Sequence, residues 1–183
     1  MGGAVPKYAR PERELRFVLD AVPPGATGGH RIVDRYVRGT HLRLREAGEG
    51  DDAVLKLGHK ARPDEADPRL VLHTTIYLTR PEFDLLAALP ADILVKRRAW
   101  VPVQGGGRIA VDRFEGLLAG LILAEVELAD AGTPFDPPPW VLAEVSTDER
   151  FTGGRLATTT RGELRAALAD VVGTAAGERL LGL

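Results

Sequence analysis

The sequence predicts an α+β protein that consists mainly of antiparallel β-sheet. Apolar and polar residues alternate with a period of two in six segments, which is typical of strands with one buried face. Glycine, proline or short polar turns separate these segments, and only two other segments show helical periodicity. The strand segments are ERELRFVL, HLRLRE, VLKLGHK, LVLHTTIYL, RIAVDRF and LILAEVEL.

Two of the connections are predicted to be hairpin turns. GEGDDA (48–53) and QGGGRI (104–109) are rich in glycine and aspartate, which supply the backbone conformations that tight turns require. The strands on either side of each turn are therefore expected to be antiparallel. TPFDPPPW (133–140) reads instead as a connection stiffened by proline.

The two helical segments have recognisable ends. RPEFDLLAALP (80–90) is ended by its last proline, and a second helix is predicted over about 160–172. Thr160 and Glu163 form a capping box at its start, and Gly173 provides a stop. The apolar faces of the two helices are expected to cover the sheet. They consist of Phe83, Leu85, Leu86 and Leu89, and of Leu164, Ala167 and Leu168.

Length and composition narrow the classes of function. A chain of 183 residues is predicted to form one domain, residues 1–183. With 24 lysines and arginines against 26 aspartates and glutamates, no overall field points to nucleic acid or to a membrane surface. The chain has no cysteine, which favours a reducing compartment, and no signal peptide or apolar span is visible. A cytoplasmic location is expected.

The polar faces of the predicted strands are charged, and like charges occur in pairs. In the first strand Glu12, Glu14 and Arg16 alternate with apolar residues. Single charges are added by Lys56 and Asp112. The pairs of like charge, two residues apart, are Glu12 with Glu14, Arg43 with Arg45, Lys96 with Arg98, and Glu125 with Glu127.

Each charged face, taken alone, is explained by exposure to water. The like pairs favour another interpretation, because residues two apart on one strand are only about 6 to 7 Å apart and repel unless an opposite charge lies near. Acidic and basic pairs fall on different strands, so a closing sheet would bring them face to face. Carboxylates bind hard divalent cations, and arginine and lysine bind phosphate. A pocket with both suits a metal-bound polyphosphate.

At this point the strand set resembles the CYTH domain, or triphosphate tunnel metalloenzyme, family, over about residues 12–157. Glu12-Arg13-Glu14-Leu15-Arg16 matches its ExExK strand, with Arg for Lys. The resemblance implies a closed or nearly closed antiparallel β-barrel with a charged interior and helices packed outside. Leu15, Phe17 and Leu19 would then lie outside the lumen beneath covering helices. The further matches, in chain order, are DRYVRGTHLRLRE, VLKLGHK, VKRRAW, VDRFEGLLAGLILAEVEL and WVLAEVSTDERFTGGRLA.

The resemblance also implies site residues. Metal ligands for Mg²⁺ or Mn²⁺ would be Glu12, Glu14, Glu125 and Glu127, with Asp112 as a possible fifth. The triphosphate would be bound by Arg16, Arg43, Arg45, Lys56, Lys96 and Arg98. Lys60 is an alternative to Lys56, since the strand can be shifted against the family pattern.

The sequence departs from the family in one strand that often carries further glutamates, in a pattern like RxExExEI. Here RLVLHTTI keeps Arg69 and Ile76 but has Val71, His73 and Thr75 in the acidic positions. Fewer carboxylates put a two-metal arrangement in doubt. In addition, a glycine occupies position 153, where family members often have asparagine.

The leading functional hypothesis is metal-dependent hydrolysis of inorganic tripolyphosphate or an organic triphosphate. The alternatives are cyclisation of ATP or another phosphoryl or nucleotidyl transfer at the same site, and a module that binds polyphosphate or nucleotide without catalysis. The missing glutamates favour the last of these. The sequence indicates no clear general base.

Overall fold

The structure is a computed structural model that describes residues 6–61, 69–103, 107–130 and 133–183. Nine strands and four α-helices make up the described part. The strands are β1 (Arg10–Leu19), β2 (Thr27–Val37), β3 (Leu42–Ala47), β4 (Val54–Ala61), β5 (Leu70–Tyr77), β6 (Ala91–Pro102), β7 (Arg108–Phe114), β8 (Ile122–Leu128) and β9 (Val141–Glu144). The helices are α1 (Arg80–Ala87), α2 (Gly153–Leu156), α3 (Arg161–Val172) and α4 (Thr174–Leu181).

Eight of the strands form a closed antiparallel barrel, in the order β1-β5-β4-β3-β2-β6-β7-β8 and back to β1. Strand β1 closes the ring by pairing with β8 along one edge and with β5 at the start of the other edge. Beyond β5, β9 pairs with Phe17, Val18 and Leu19 on that second edge. The predicted barrel with helices outside it is therefore confirmed.

The predicted turns agree with this topology. Strands β3 and β4 pair antiparallel across the 48–53 turn, which contains one turn of 3-10 helix at Gly50–Asp52. Strands β6 and β7 are also antiparallel, with Pro102 opposite Arg108. Residues 104–106 of the turn between them lie outside the described residues.

Both predicted helices are present, and two further helices were not predicted. Helix α1 ends at Ala87, shortly before Pro90, and α3 begins after the Thr160–Glu163 capping box. At Gly173 the backbone takes a φ of 84°, which ends α3 and at once begins α4. Gly173 therefore works as a stop and as the start of another helix, which is why the sequence did not indicate α4.

Helix α1 covers the outer face of the barrel at β3 and β4. Phe83 packs there against Leu44 and Leu55. The prediction for the rest of its apolar face is partly wrong, because Leu85 is 77% exposed and Leu89 is 41% exposed.

The outer face of β1 is covered by a loop and not by helices, contrary to the prediction. Leu15, Phe17 and Leu19 pack with residues of β7 and β8, and Phe135 and Trp140 from the proline-stiffened segment lie against them. The rings of Phe17 and Phe135 are 5.7 Å apart. The proline-rich segment therefore acts as the cover of this wall.

One end of the barrel interior is filled by an apolar cluster. Val18, Leu94 and Leu123 each lie two residues from a charged inward-facing residue, so they share its face of the sheet. They pack with Leu164 and Leu168 of α3. The apolar cluster thus closes one end of the barrel, and the rest of the interior is charged.

Within the described residues, no helix has the length and apolar character needed to span a membrane.

Candidate active site

A charged cavity of about 520 Å³ occupies the interior of the barrel. Seven cationic side chains and four carboxylates line it, so the lining carries an excess of positive charge. Every predicted site residue except Asp112 is among them. The cations are Arg16, Arg43, Arg45, Lys56, Lys60, Lys96 and Arg98, and the carboxylates are Glu12, Glu14, Glu125 and Glu127.

The carboxylates share one wall, formed by the neighbouring strands β1 and β8. In the register of this pair, Glu14 lies opposite Glu127 and Arg16 lies opposite Glu125. Arg16 reaches both strands, with its Nη2 atom 3.4 Å from Glu14 Oε2 and its Nε atom 3.6 Å from Glu125 Oε1. One buried guanidinium group therefore holds two carboxylates of this wall together.

The cations other than Arg16 form the remaining walls, on β3, β4 and β6. Arg43 and Arg45 face inward from β3, and the register places Arg45 opposite Lys56 of β4. Since Lys56 and Lys60 are four residues apart on one strand, both face the cavity. The choice between them that the sequence left open does not arise, because the lining includes both.

Behind the basic wall lies a carboxylate that the sequence reading missed. Asp34 is 0% exposed and binds Arg45 through both oxygens, at 2.6 and 2.7 Å. Burial by itself raises the pKa of Asp34, but the charges of Arg45 and Arg43 hold it well below its usual range. Asp34 alternates with Tyr36 in DRYVR, and that pattern was the available signal.

Asp112 of β7 also faces the barrel interior, opposite Arg98 of β6, but it does not line the cavity. It is 1% exposed. Its Oδ2 atom lies 2.5 Å from Lys96 Nζ and from Arg98 Nη2, and Oδ1 accepts a 2.6 Å hydrogen bond from Arg98 Nε. Burial lowers the pKa of Lys96, and the charge of Asp112 works against this effect. The aspartate therefore fixes two cations of the site.

Arg98 also reaches the acidic wall, with Nη2 2.6 Å from Glu125 Oε2. Burial by itself raises the pKa of Glu125, but the charges of Lys96, Arg98 and Arg16 lower it well below its usual value. Glu125 is thus held ionised in the interior.

At the other side of the acidic wall, Lys60 and His73 contact the β1 glutamates. Lys60 Nζ lies 3.3 Å from Glu12 Oε2 and 3.1 Å from Glu14 Oε1. His73 Nδ1 lies 2.7 Å from Glu12 Oε1. Burial alone would raise the pKa of Glu12, but the hydrogen bond with His73 and the charge of Lys60 lower it to about 2. From the sequence, His73 was a candidate to replace a missing ligand, or else a packed or solvated residue; here it contacts Glu12.

The floor of the cavity explains the glycine at position 153. A Cβ atom built on Gly153 would lie 2.1 Å from the hydroxyl oxygen of Tyr36, so no side chain fits there while Tyr36 keeps its place. Burial raises the pKa of Tyr36 to about 12, and the charge of Asp34 adds to this. Tyr36 is therefore a neutral hydroxyl group at the floor of a charged cavity.

Two buried donors at the cavity make no hydrogen bond within the described part of the chain, although Arg43 Nε lies 3.6 Å from Asp34 Oδ1. Arg16 Nη1 and Arg43 Nε are buried and make no hydrogen bond there. Unpaired buried donors are rare in proteins because each loses its hydration without compensation. An anionic ligand in the cavity would give these two donors an acceptor.

The comparisons with known proteins agree with this geometry. No family model matches the sequence. The chain is 27% identical over 153 residues to an inorganic triphosphatase of Nitrosomonas europaea, a match that covers 80% of this chain and 96% of that protein. It is also 41% identical over 46 residues to an inorganic triphosphatase of Acetivibrio thermocellus, which covers 25% of this chain and 30% of that protein.

Solved structures show the same fold. The crystal structure of the inorganic triphosphatase NE1496 superposes with a TM-score of 0.55 and 24% identity, over 81% of this chain and 95% of that one. A second structure, of the hypothetical protein NE1496, gives a TM-score of 0.55 and 25% identity, over 81% and 99% of the two chains. The closed barrel, the ordered motifs and these matches fit the CYTH, or triphosphate tunnel metalloenzyme, superfamily.

Proposed function

We propose that this protein hydrolyses inorganic tripolyphosphate bound in the barrel cavity, with a divalent metal ion. The observation that carries the proposal is the cavity lining, which brings seven cations together with four carboxylates. Asp34 and Asp112 offset two of these cations, and the positive charge that remains favours an anion, because arginine and lysine are the side chains that bind phosphate oxygens. The two relatives with the sequence matches are both named inorganic triphosphatases.

The lining favours an inorganic chain over a nucleotide. Among the described residues that line the cavity, Tyr36 is the one phenol or phenyl ring, and it is half-buried at the floor. A nucleobase would need an apolar or stacking surface beside the phosphate site. The proposed substrate-binding groups are the predicted set, Arg16, Arg43, Arg45, Lys56, Lys96 and Arg98.

The superfamily implies a divalent metal ion, and the donor set fits one that binds together with the substrate. Among the described residues, no group of three or more His, Cys, Asp or Glu forms a complete metal site. Magnesium, however, is commonly bound by one or two carboxylates together with substrate phosphates. Glu12, Glu14, Glu125 and Glu127 would provide the carboxylates for Mg²⁺ or Mn²⁺. Asp112 is better explained as a counter-ion, because both of its oxygens are already bound.

Hydrolysis adds water to a phosphorus atom, breaks one P–O bond, and releases phosphate and pyrophosphate. When bound, the metal ion would neutralise phosphate oxygens and orient the chain for attack. The guanidinium groups of Arg16, Arg43 and Arg98 would bind the charge that develops on the transferred phosphoryl group. Since ion pairs with Asp34, Asp112 and the glutamates hold them in place, little reorganisation is needed during the reaction.

A second candidate function is binding of polyphosphate without turnover. The observation that favours it is the inner face of β5, where Val71, His73 and Thr75 carry no carboxylate. Such a module would keep the basic walls and bind the anion, and would release no product.

Product analysis separates these functions. Incubation with tripolyphosphate or ATP, Mg²⁺ and Mn²⁺, followed by phosphorus NMR, is expected to show phosphate and pyrophosphate from tripolyphosphate and little change in ATP. Conversion of ATP to cyclic AMP and pyrophosphate would support a cyclase instead. Tight binding of tripolyphosphate with no product from either compound would support the binding module.

A further inference from the structure

Lys60 occupies a bridging position between two carboxylates. Its Nζ atom lies 3.3 Å from Glu12 Oε2 and 3.1 Å from Glu14 Oε1. Two glutamates two residues apart on a strand repel each other unless a cation lies between them. The ammonium group of Lys60 is that cation, and it sits where a metal ion shared by the two carboxylates would sit.

His73 satisfies the remaining oxygen of Glu12. Its Nδ1 atom lies 2.7 Å from Glu12 Oε1, and its Nε2 atom lies 3.1 Å from the hydroxyl of Thr75. Nδ1–H donates to the carboxylate of Glu12, and Nε2 shares a hydrogen bond with the hydroxyl of Thr75. Both oxygens of Glu12 are therefore bound by groups of this chain.

The barrel architecture fixes both partners in place. The register of β4 and β5 puts Lys60 directly opposite His73. Gly58, which faces inward two residues before Lys60, leaves room for the imidazole, because a Cβ atom there would be 3.0 Å from His73 Nε2. The arrangement thus depends on strand pairing and not on a chance contact of a flexible side chain.

The β8 end of the acidic wall differs. Glu127 makes no ion pair or hydrogen bond with the described residues, and its side chain is exposed at the cavity. Glu125 is bound by Arg98 at 2.6 Å through Oε2 and lies 3.6 Å from Arg16 through Oε1, and both arginines would also face a phosphate chain. A metal ion that arrives with a phosphate chain therefore meets an unpaired carboxylate at Glu127, beside Glu125, whose arginine partners also face the phosphate. The oxygens of Glu12 are instead bound by Lys60 and His73.

We propose that Lys60, supported by His73, takes the place of a metal ion at the Glu12–Glu14 pair, so that divalent metal binds from the Glu125–Glu127 side alone. The inference rests on the proposed function for the need for metal, and it narrows where that metal binds. Two carboxylate pairs could hold two metal ions. In this active site one pair would hold metal and the other would hold Lys60.

Mn²⁺ binding to the ligand-free protein, followed by electron paramagnetic resonance, tests the proposal without turnover. Lys60→Gln is expected to bind one Mn²⁺ more per chain than the native protein. Lys60→Arg, which keeps the cation, is expected to show no gain, and Lys60→Gln/Glu12→Gln is expected to lose it. Lys60→Gln/His73→Glu, which adds a carboxylate, is a second route to the same gain. Circular dichroism melting checks that each variant is folded.

The proposal would be overturned if the native protein, Lys60→Gln and Lys60→Gln/His73→Glu, all folded, bound the same number of Mn²⁺ ions. A loss of Mn²⁺ on Glu12→Gln in the native background would also overturn it, because that pair would then already hold metal. These outcomes are independent of turnover: the native protein's hydrolysis of tripolyphosphate tests the proposed function, and the Mn²⁺ difference tests Lys60.

Discussion

Asp112→Asn is expected to destabilise the folded protein by about 3 kcal/mol or more, which is typical of breaking a buried ion pair. Asp112 is 1% exposed and is bound by Lys96 and Arg98. Removing its charge leaves an ammonium and a guanidinium group in the interior without that partner. Urea unfolding followed by circular dichroism measures the change.

Glu125→Gln is the matched control for Asp112→Asn, because Glu125 also binds Arg98 but lines the open cavity. Its loss of stability is expected to be clearly smaller. If Asp112→Asn instead unfolds at the native urea concentration and only weakens metal binding, Asp112 is a metal ligand, as the family resemblance implied.

Arg98→Gln is expected to lower kcat/KM for tripolyphosphate by about 10²- to 10³-fold, the usual effect of removing a fixed charge that stabilises a transition state. Arg98 lines the cavity and is held by Asp112 and Glu125. Initial rates of phosphate release, measured on variants shown to be folded, give the ratio.

The adjacent Arg97 provides the control for this experiment. It is on the opposite face of β6, where it binds Glu115 and Glu49. Arg97→Gln is expected to leave kcat/KM close to the native value, since Arg97 is outside the cavity. Equal losses in the two variants would mean that Arg98 acts through the stability of β6 and not through the substrate.

The sequence predicted which strand faces are charged, because alternation along a strand depends only on local geometry. Glu12, Glu14 and Arg16 lie on the inner face as expected, and so do Arg43 and Lys96. The closed barrel was predicted through the resemblance, because alternation alone does not distinguish a barrel from an open sheet.

Depth within the barrel could not be predicted from alternation. Alternation along β7 places Asp112 on the face that points into the barrel. Its position opposite Leu123, however, puts it next to the apolar end of the interior. Asp34 is buried in the same manner. Whether an inward carboxylate binds ligand or holds arginines in place depends on the register of neighbouring strands, which a single sequence does not give.

The contacts of Lys60 and His73 depend on register as well. Residues 62–68, between β4 and β5, lie outside the described part, and their number does not determine which residues pair. The Tyr36–Gly153 contact joins residues far apart in the chain. Such contacts form only when the barrel closes, so no local sequence pattern predicts them.

The most direct test of the account is phosphate release from tripolyphosphate by the native protein, with Mg²⁺ or Mn²⁺ and with EDTA, beside Glu125→Gln/Glu127→Gln. We expect turnover that requires metal, stops in EDTA and is lost in the double variant. Absence of turnover in the native protein at any metal concentration, or full turnover in the folded double variant, would contradict it.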